Sequence, residues 1–166
     1  MSIRAAFPAW QAQHRHLRDV VAGLTAEQLG RAPGPDRWPI WATIGHLACQ
    51  RVFWLCDFAG EPGADTTPYP NAGYDCPGDD DLEHVLSAGQ LVAGLDASFA
   101  IVERCLDTWT PESLDDVIRH PEWGNNDRAH TRGFVIQRVY AHDISHATEL
   151  NEALTAAGLP IVNLWE

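Results

Sequence analysis

Positive charge is scarce in this chain. Its 166 residues carry 11 Lys+Arg against 23 Asp+Glu, a formal net charge of −12. A surface this anionic repels phosphate backbones and anionic bilayers, so neither nucleic acid nor a membrane is expected as a partner. Long apolar runs are missing too. No stretch approaches the roughly 20 residues needed to span a bilayer, and Met1 to Pro8 holds no signal-peptide core. Cysteine is sparse, and Cys49, Cys56, Cys76 and Cys105 form no CxxC pair. Cys49 and Cys56 fall on one helix, about 10.5 Å apart along its axis and beyond disulfide reach. Free thiols in a reducing, cytoplasmic setting are the simplest reading, with Cys49, Cys56 and Cys105 as core thiols rather than nucleophiles. Internal repeats, low-complexity tracts and clear strand alternation are also lacking.

What is present is helical periodicity. The length fits one domain over residues 1–166, and 45% hydrophobic with 20% charged residues is ordinary for a globular protein. A first helix is expected from about Ile3 to Ala22, with Trp10, His14, Leu17, Val21 and Leu24 on one face. Thr25 to Leu29 reads as a short capped turn. A second helix begins at Pro39, a residue suited to the first turn, and runs to about Ala59, apolar almost all round. Gly60 to Asp80, with Pro62, Pro68, Pro70 and Pro77, reads as a long crossover loop. A third helix is expected from about Asp80 to Asp107, capped by the acidic run 79–81. Leu82, Val85, Leu86, Leu91, Leu95, Phe99, Val102 and Leu106 form its buried stripe. Trp109 to Arg132 is irregular, with one helical turn at Thr110–Leu114 and a turn signal at Trp123-Gly-Asn-Asn suggesting a short hairpin. A fourth helix runs from about Thr131 to Ala157 and stops at Gly158, before Pro160. The apolar tail from Ile161 to Trp165 is expected to pack back. The fold class is all-α: a four-helix bundle with a long crossover loop.

The chemistry concentrates in His142 and His146. Four residues apart on a helix, they share one face with Cβ atoms roughly 5–6 Å apart, and two neutral imidazoles so placed can grip one divalent ion. Val135, Val139, Leu150 and Ala153 fall on the same side, so both rings are expected to point into the bundle or into a pocket at its end. Close buried imidazoles are costly if charged, which a metal or hydrogen bonds would relieve. The bland reading is two satisfied core histidines. A metal needs a third ligand. His46, in the most hydrophobic helix, is the best candidate, and His14 also sits on an apolar face. His16 lies on the opposite side, and His84, His120 and His130 read as surface or locally bonded. His-Asp-x-x-His also fits the HExxH zinc-protease frame, but Asp143 stands where that chemistry needs the longer glutamate. Only 20 residues follow His146, leaving little room for the usual downstream ligand.

The stretch Trp38-Pro-Ile-Trp-Ala-Thr-Ile-Gly-His46-Leu47, followed by Tyr140-Ala-His142-Asp-Ile-Ser-His146, resembles the DinB/YfiT-like superfamily. Leu24-Thr-Ala-Glu-Gln-Leu29 and Thr110-Pro-Glu-Ser-Leu114 match its rhythm, and the resemblance covers nearly the whole chain. It implies a four-helix bundle in which His46, His142 and His146 bind one divalent metal. It further implies a homodimer and a thiol-dependent S-transferase using bacillithiol or mycothiol. Many members carry serine or threonine where Pro39 stands, a departure that touches helix-start geometry only.

Three imidazoles leave coordination positions open, the pattern of a catalytic site, and zinc, nickel and iron all accept imidazole. The expected reaction is attack of a metal-activated thiol on an electrophilic small molecule, with metal-assisted hydrolysis as the related possibility. Arg138, one turn before His142, is a candidate for a substrate carboxylate or a surface acid. Glu149 is a candidate second contact for a ligand histidine or a solvated residue. The alternative function is a non-catalytic metal or small-molecule binding bundle in a stress response.

Overall fold

The fold is described for residues 1–79, 81–120 and 129–165 of the computed structural model. Four main helices dominate: α1 (Trp10–Ala22), α3 (Ile40–Val52), α4 (Ala88–Thr108) and α5 (Arg132–Ala156), with α2 a single turn at Ala26–Leu29. α3 packs against both α4 and α5, while α1 packs on α4. The strands β1 (Val117–Arg119) and β2 (Ala129–Thr131) pair antiparallel, Ile118 opposite His130. They form the expected hairpin; the turn signal at 123–126 lies outside the described residues. No described helix is long and apolar enough to cross a membrane.

Local chemistry explains where these helices begin and end. α1 starts at Trp10 rather than Ile3, because Pro8 lacks an N–H and pushes Phe7 out of helical geometry (φ −127°, ψ 53°). The preceding residues Arg4–Ala6 form a separate 3-10 turn. The expected capped turn is present as α2, and Thr25 caps it through a capping box with Gln28. Pro39 is the extended N-cap of α3, not its first helical residue, and its carbonyl accepts from Ala42 and Thr43. α3 then runs into a π-helical turn at Phe53–Phe58. α5 is capped by the Thr131 hydroxyl and closed by Gly158 (φ +69°), with Leu159 N–H bonding the Leu154 carbonyl.

The third main helix departs most from expectation. It begins at Ala88, where Ser87 and Gln90 exchange side-chain and backbone bonds in a capping box. The acidic run does not cap it. Asp81 instead accepts from the Glu83 and His84 N–H groups, a turn that holds the chain out of helix. Leu82 and Val85, assigned above to the buried stripe, are exposed. The crossover therefore extends to residue 87. Its middle lies directly on α3: a Cβ at Gly45 would meet Pro77 at 2.9 Å, so only glycine admits this approach. Cys76 rides on that segment and forms a disulfide with Cys49 of α3. Reading all four cysteines as free thiols is thereby corrected. Spacing along one helix could not show a partner 27 residues away in a loop. Cys56 and Cys105 remain free, and burial pushes their thiols up to about 11 and about 12, so both stay protonated.

The tail does pack back. Asn151 bonds Val162 in both directions, Gln13 donates to the Leu164 carbonyl, and Val162 is buried while Trp165 is exposed.

At the centre lies a buried ion pair. Arg51 of α3, 1% exposed, donates from Nε to both Asp143 oxygens (3.1 and 3.0 Å), and its Nη2 is 2.8 Å from Oδ2. Trp10 Nε1 donates to the same carboxylate at 2.8 Å, and Arg51 Nη1 reaches the Leu95 carbonyl and Ser98 hydroxyl. Each main helix thus contributes at least one partner. Removing one member strands the other charge in the core, at a cost of about 3–5 kcal/mol, whereas replacing both with apolar groups can be neutral. We expect Arg51→Met to destabilise the fold by about that amount, and Arg51→Met with Asp143→Leu to recover most of it, as read by urea unfolding.

Candidate metal centre

His46 comes from the middle of α3, and His142 and His146 come from successive turns of α5. The structure brings all three together. Their ring centroids are 5.1 Å (His46–His142), 4.8 Å (His46–His146) and 4.2 Å (His142–His146) apart. One nitrogen from each ring lies within 4.8 Å of the other two, an arrangement that could hold a metal ion. His46 Nε2 and His142 Nε2 are 3.2 Å apart. Two nitrogens at about 2.0–2.1 Å from one tetrahedral ion would be roughly 3.4 Å apart, so the donor set fits.

The electrostatics favour ligand-ready imidazoles. Burial pushes the His46 pKa below its ordinary value, outweighing the nearby Asp79 carboxylate. Burial also pushes His142 far below, with His146 and His46 adding to the effect. Both are therefore neutral at physiological pH and carry free lone pairs. Their outer nitrogens differ. His146 Nδ1 is 2.9 Å from Glu149 Oε2, His46 Nδ1 is 3.4 Å from Asp79 Oδ2, and the His46 ring also hydrogen-bonds the Pro77 backbone, whose carbonyl accepts. Among the described residues nothing bonds the buried His142 Nδ1. Trp38 roofs the cluster, its ring 4.8 Å from His46 and 6.3 Å from His146. A cavity of about 260 Å³ opens beside His146, walled by Arg37, Trp38, Thr43 and Glu149.

The remaining sequence candidates go elsewhere. His14 is buried but stacks on Phe99 (4.0 Å, 8°) away from the triad. Burial, with the Arg51 and Arg18 guanidinium groups, pushes its pKa down to about 3. It is therefore neutral, and its 3.4 Å approach to Asp96 is not an ion pair at neutral pH. His16 contacts the Asn163 carbonyl, His84 contacts Asp81, and His130 stacks on Phe134. Asp143 is no protease base, since Arg51 and Trp10 occupy its carboxylate. Glu149, read above as either a second contact for a ligand histidine or a solvated residue, is partly exposed and bonds the His146 ring. Arg138 is exposed, its guanidinium 5.9 Å from the Trp54 ring, with no carboxylate partner among the described residues. Sequence reasoning missed Asp79, Pro77 and Cys76, which no periodicity marks, and Arg51, whose signal was a lone charge in an apolar helix.

Glu149→Gln should weaken divalent-metal affinity about 10–100-fold, because the carboxylate that fixes the His146 ring is lost; a Co(II) titration reads this. For His14 the folded pKa of about 3 lies below the ordinary 6.5. The unfolded chain therefore gains the proton first, and stability is lost as pH falls from about 6.5 toward 3. His14→Phe, which keeps an aromatic ring on Phe99, should show a shallower decline in urea midpoint over that window.

Comparison with known proteins places the fold. A family model described as the DinB superfamily matches residues 9–150. The chain is also similar to the crystal structure of a DinB-like protein from Bacillus cereus ATCC 10987. The two share 17% identity at a TM-score of 0.70, over 98% of this chain and 97% of that one. A search among curated proteins returned no match. With the family match spanning most of the chain and the bundle architecture agreeing, this protein belongs to the DinB superfamily.

Proposed function

We propose that this protein is a metal-dependent enzyme. It binds one divalent ion, zinc, nickel or iron, through His46, His142 and His146. It joins a low-molecular-weight thiol of the bacillithiol or mycothiol type to an electrophilic small molecule, with hydrolysis as the related reaction. The observation that carries this reading is the convergence of three imidazoles, one of which, His146, lines a cavity of about 260 Å³.

The chain's own groups have definite tasks in this reading. His46 and His142, kept neutral by burial, offer their Nε2 lone pairs. Glu149 holds the proton of His146 on Nδ1, which leaves Nε2 free. Trp38 excludes water from one side, and Arg37 supplies the cation on the cavity wall. A bound divalent ion supplies Lewis acidity that favours a thiolate at neutral pH. Its partners in this reading are a small-molecule substrate and a second copy of the chain.

Metal analysis and a thiol-transfer assay decide the matter. We expect about one equivalent of divalent metal per chain, activity abolished by chelation and restored by metal, and loss of both metal and activity in His46→Ala. Metal binding without transfer or hydrolysis across a broad electrophile panel would replace this reading with a non-catalytic binding bundle. No metal in the wild-type protein would remove both.

A further inference from the structure

The crossover segment 76–79 ties three features to one ligand. Cys76 is joined by its disulfide to Cys49, one turn after His46 on α3. Pro77 bonds the His46 ring through its backbone and rests against Gly45, the residue before His46. Asp79 brings a carboxylate oxygen to 3.4 Å from His46 Nδ1. Cys76 Sγ itself lies 4.0 Å from that nitrogen. The segment has no helix or sheet of its own beyond an isolated bridge between Pro77 and Asp81. Its covalent bond to α3 is therefore the strongest element setting its position.

We propose that Asp79 is a positioning residue of the metal centre and that the Cys49–Cys76 disulfide holds it there, so that metal affinity depends on the thiol–disulfide state of the protein. This rests on the reading of the three histidines as metal ligands. A carboxylate on the outer nitrogen of a ligand histidine fixes ring orientation and raises ligand basicity. His146 has one in Glu149, hydrogen-bonded at 2.9 Å, and His46 has one as the Asp79 charge at 3.4 Å, beside its hydrogen bond to the Pro77 backbone. Glu149 is on α5, one turn from His146, and is held by the helix. Asp79 is on a loop and is held by the crosslink.

The reductant class is a dithiol. Its first thiolate attacks one sulfur of the pair, the Cys49–Cys76 bond breaks, and a mixed disulfide forms as the other cysteine leaves as thiolate. The second reductant thiol attacks the mixed disulfide and closes the reductant to its own disulfide. Two electrons and two protons end on Cys49 and Cys76. Both cysteines are buried, so exchange requires the segment to lift from α3, which also withdraws Asp79.

The test uses the full chain and Co(II) as probe. Oxidised protein, denatured without reductant, should show two reactive thiols of the four cysteines, and all four after reduction. Protein reduced with dithiothreitol, then desalted under argon, should bind Co(II) about 10-fold or more weakly than oxidised protein, with an unchanged far-UV spectrum. Asp79→Asn should weaken binding about 10-fold in oxidised protein and change it by less than about 2-fold in reduced protein, since the positioning is already lost. Four reactive thiols after treatment with diamide, equal Co(II) affinity in both redox states, or an equal Asp79→Asn effect in both would overturn the proposal. If reduction unfolds the chain, Asp79→Asn in oxidised protein decides alone, and unchanged affinity overturns it. Oxidised wild-type protein that binds no Co(II) would instead sink the metal reading beneath it.

Discussion

The Arg51–Asp143 ion pair is the constraint around which this bundle closes. Two charges removed from water must be met fully or not at all, and here the carboxylate takes Arg51 and Trp10 while the guanidinium also reaches α4. The pair sets more than stability. Asp143 follows His142 directly, and Arg51 lies five residues beyond His46. With Asp143 bonded to Arg51 of α3 and Trp10 of α1, His142, about 100° away on the same helix, is brought to His46 of α3. The buried pair therefore fixes both the rotation of α5 and its register on α3, and the imidazole cluster is a consequence of that register.

The cluster is asymmetric in its support. Two histidines have carboxylates behind them, while the His142 Nδ1 is buried without a bond among the described residues. An unsatisfied buried donor costs on the order of 1–3 kcal/mol. That cost is carried by the rest of the core and is typical of a site arranged for binding rather than for stability.

Much of this was legible in the residues. The all-α bundle followed from long runs of apolar periodicity, which survive errors at their ends. The His142–His146 pair followed from helical spacing, and His46 from being a polar group in a helix buried all round. What failed to show were interactions that sequence distance hides. Ser87 with Gln90 outcompetes the acidic run as the start of α4, while the Asp81 side chain bonds forward to backbone N–H groups, a contact that carries no periodic signal. The Cys49–Cys76 link and the Asp79–His46 contact depend on where a proline-rich loop lies, and no local periodicity encodes that. Asp143 was the most misleading residue: its place between two histidines suggested chemistry, while its chemistry is with Arg51.

The Trp10–Asp143 hydrogen bond joins residues 133 positions apart. Each helix of this chain can form locally and fast, but the bond that completes the core waits for nearly the last of them. During synthesis α1, α3 and α4 emerge with Arg51 still lacking its carboxylate, and Trp10 lacks its acceptor until α5 has cleared the ribosome. The histidine cluster needs α5 as well, so it cannot close before the carboxylate that completes the core is in place.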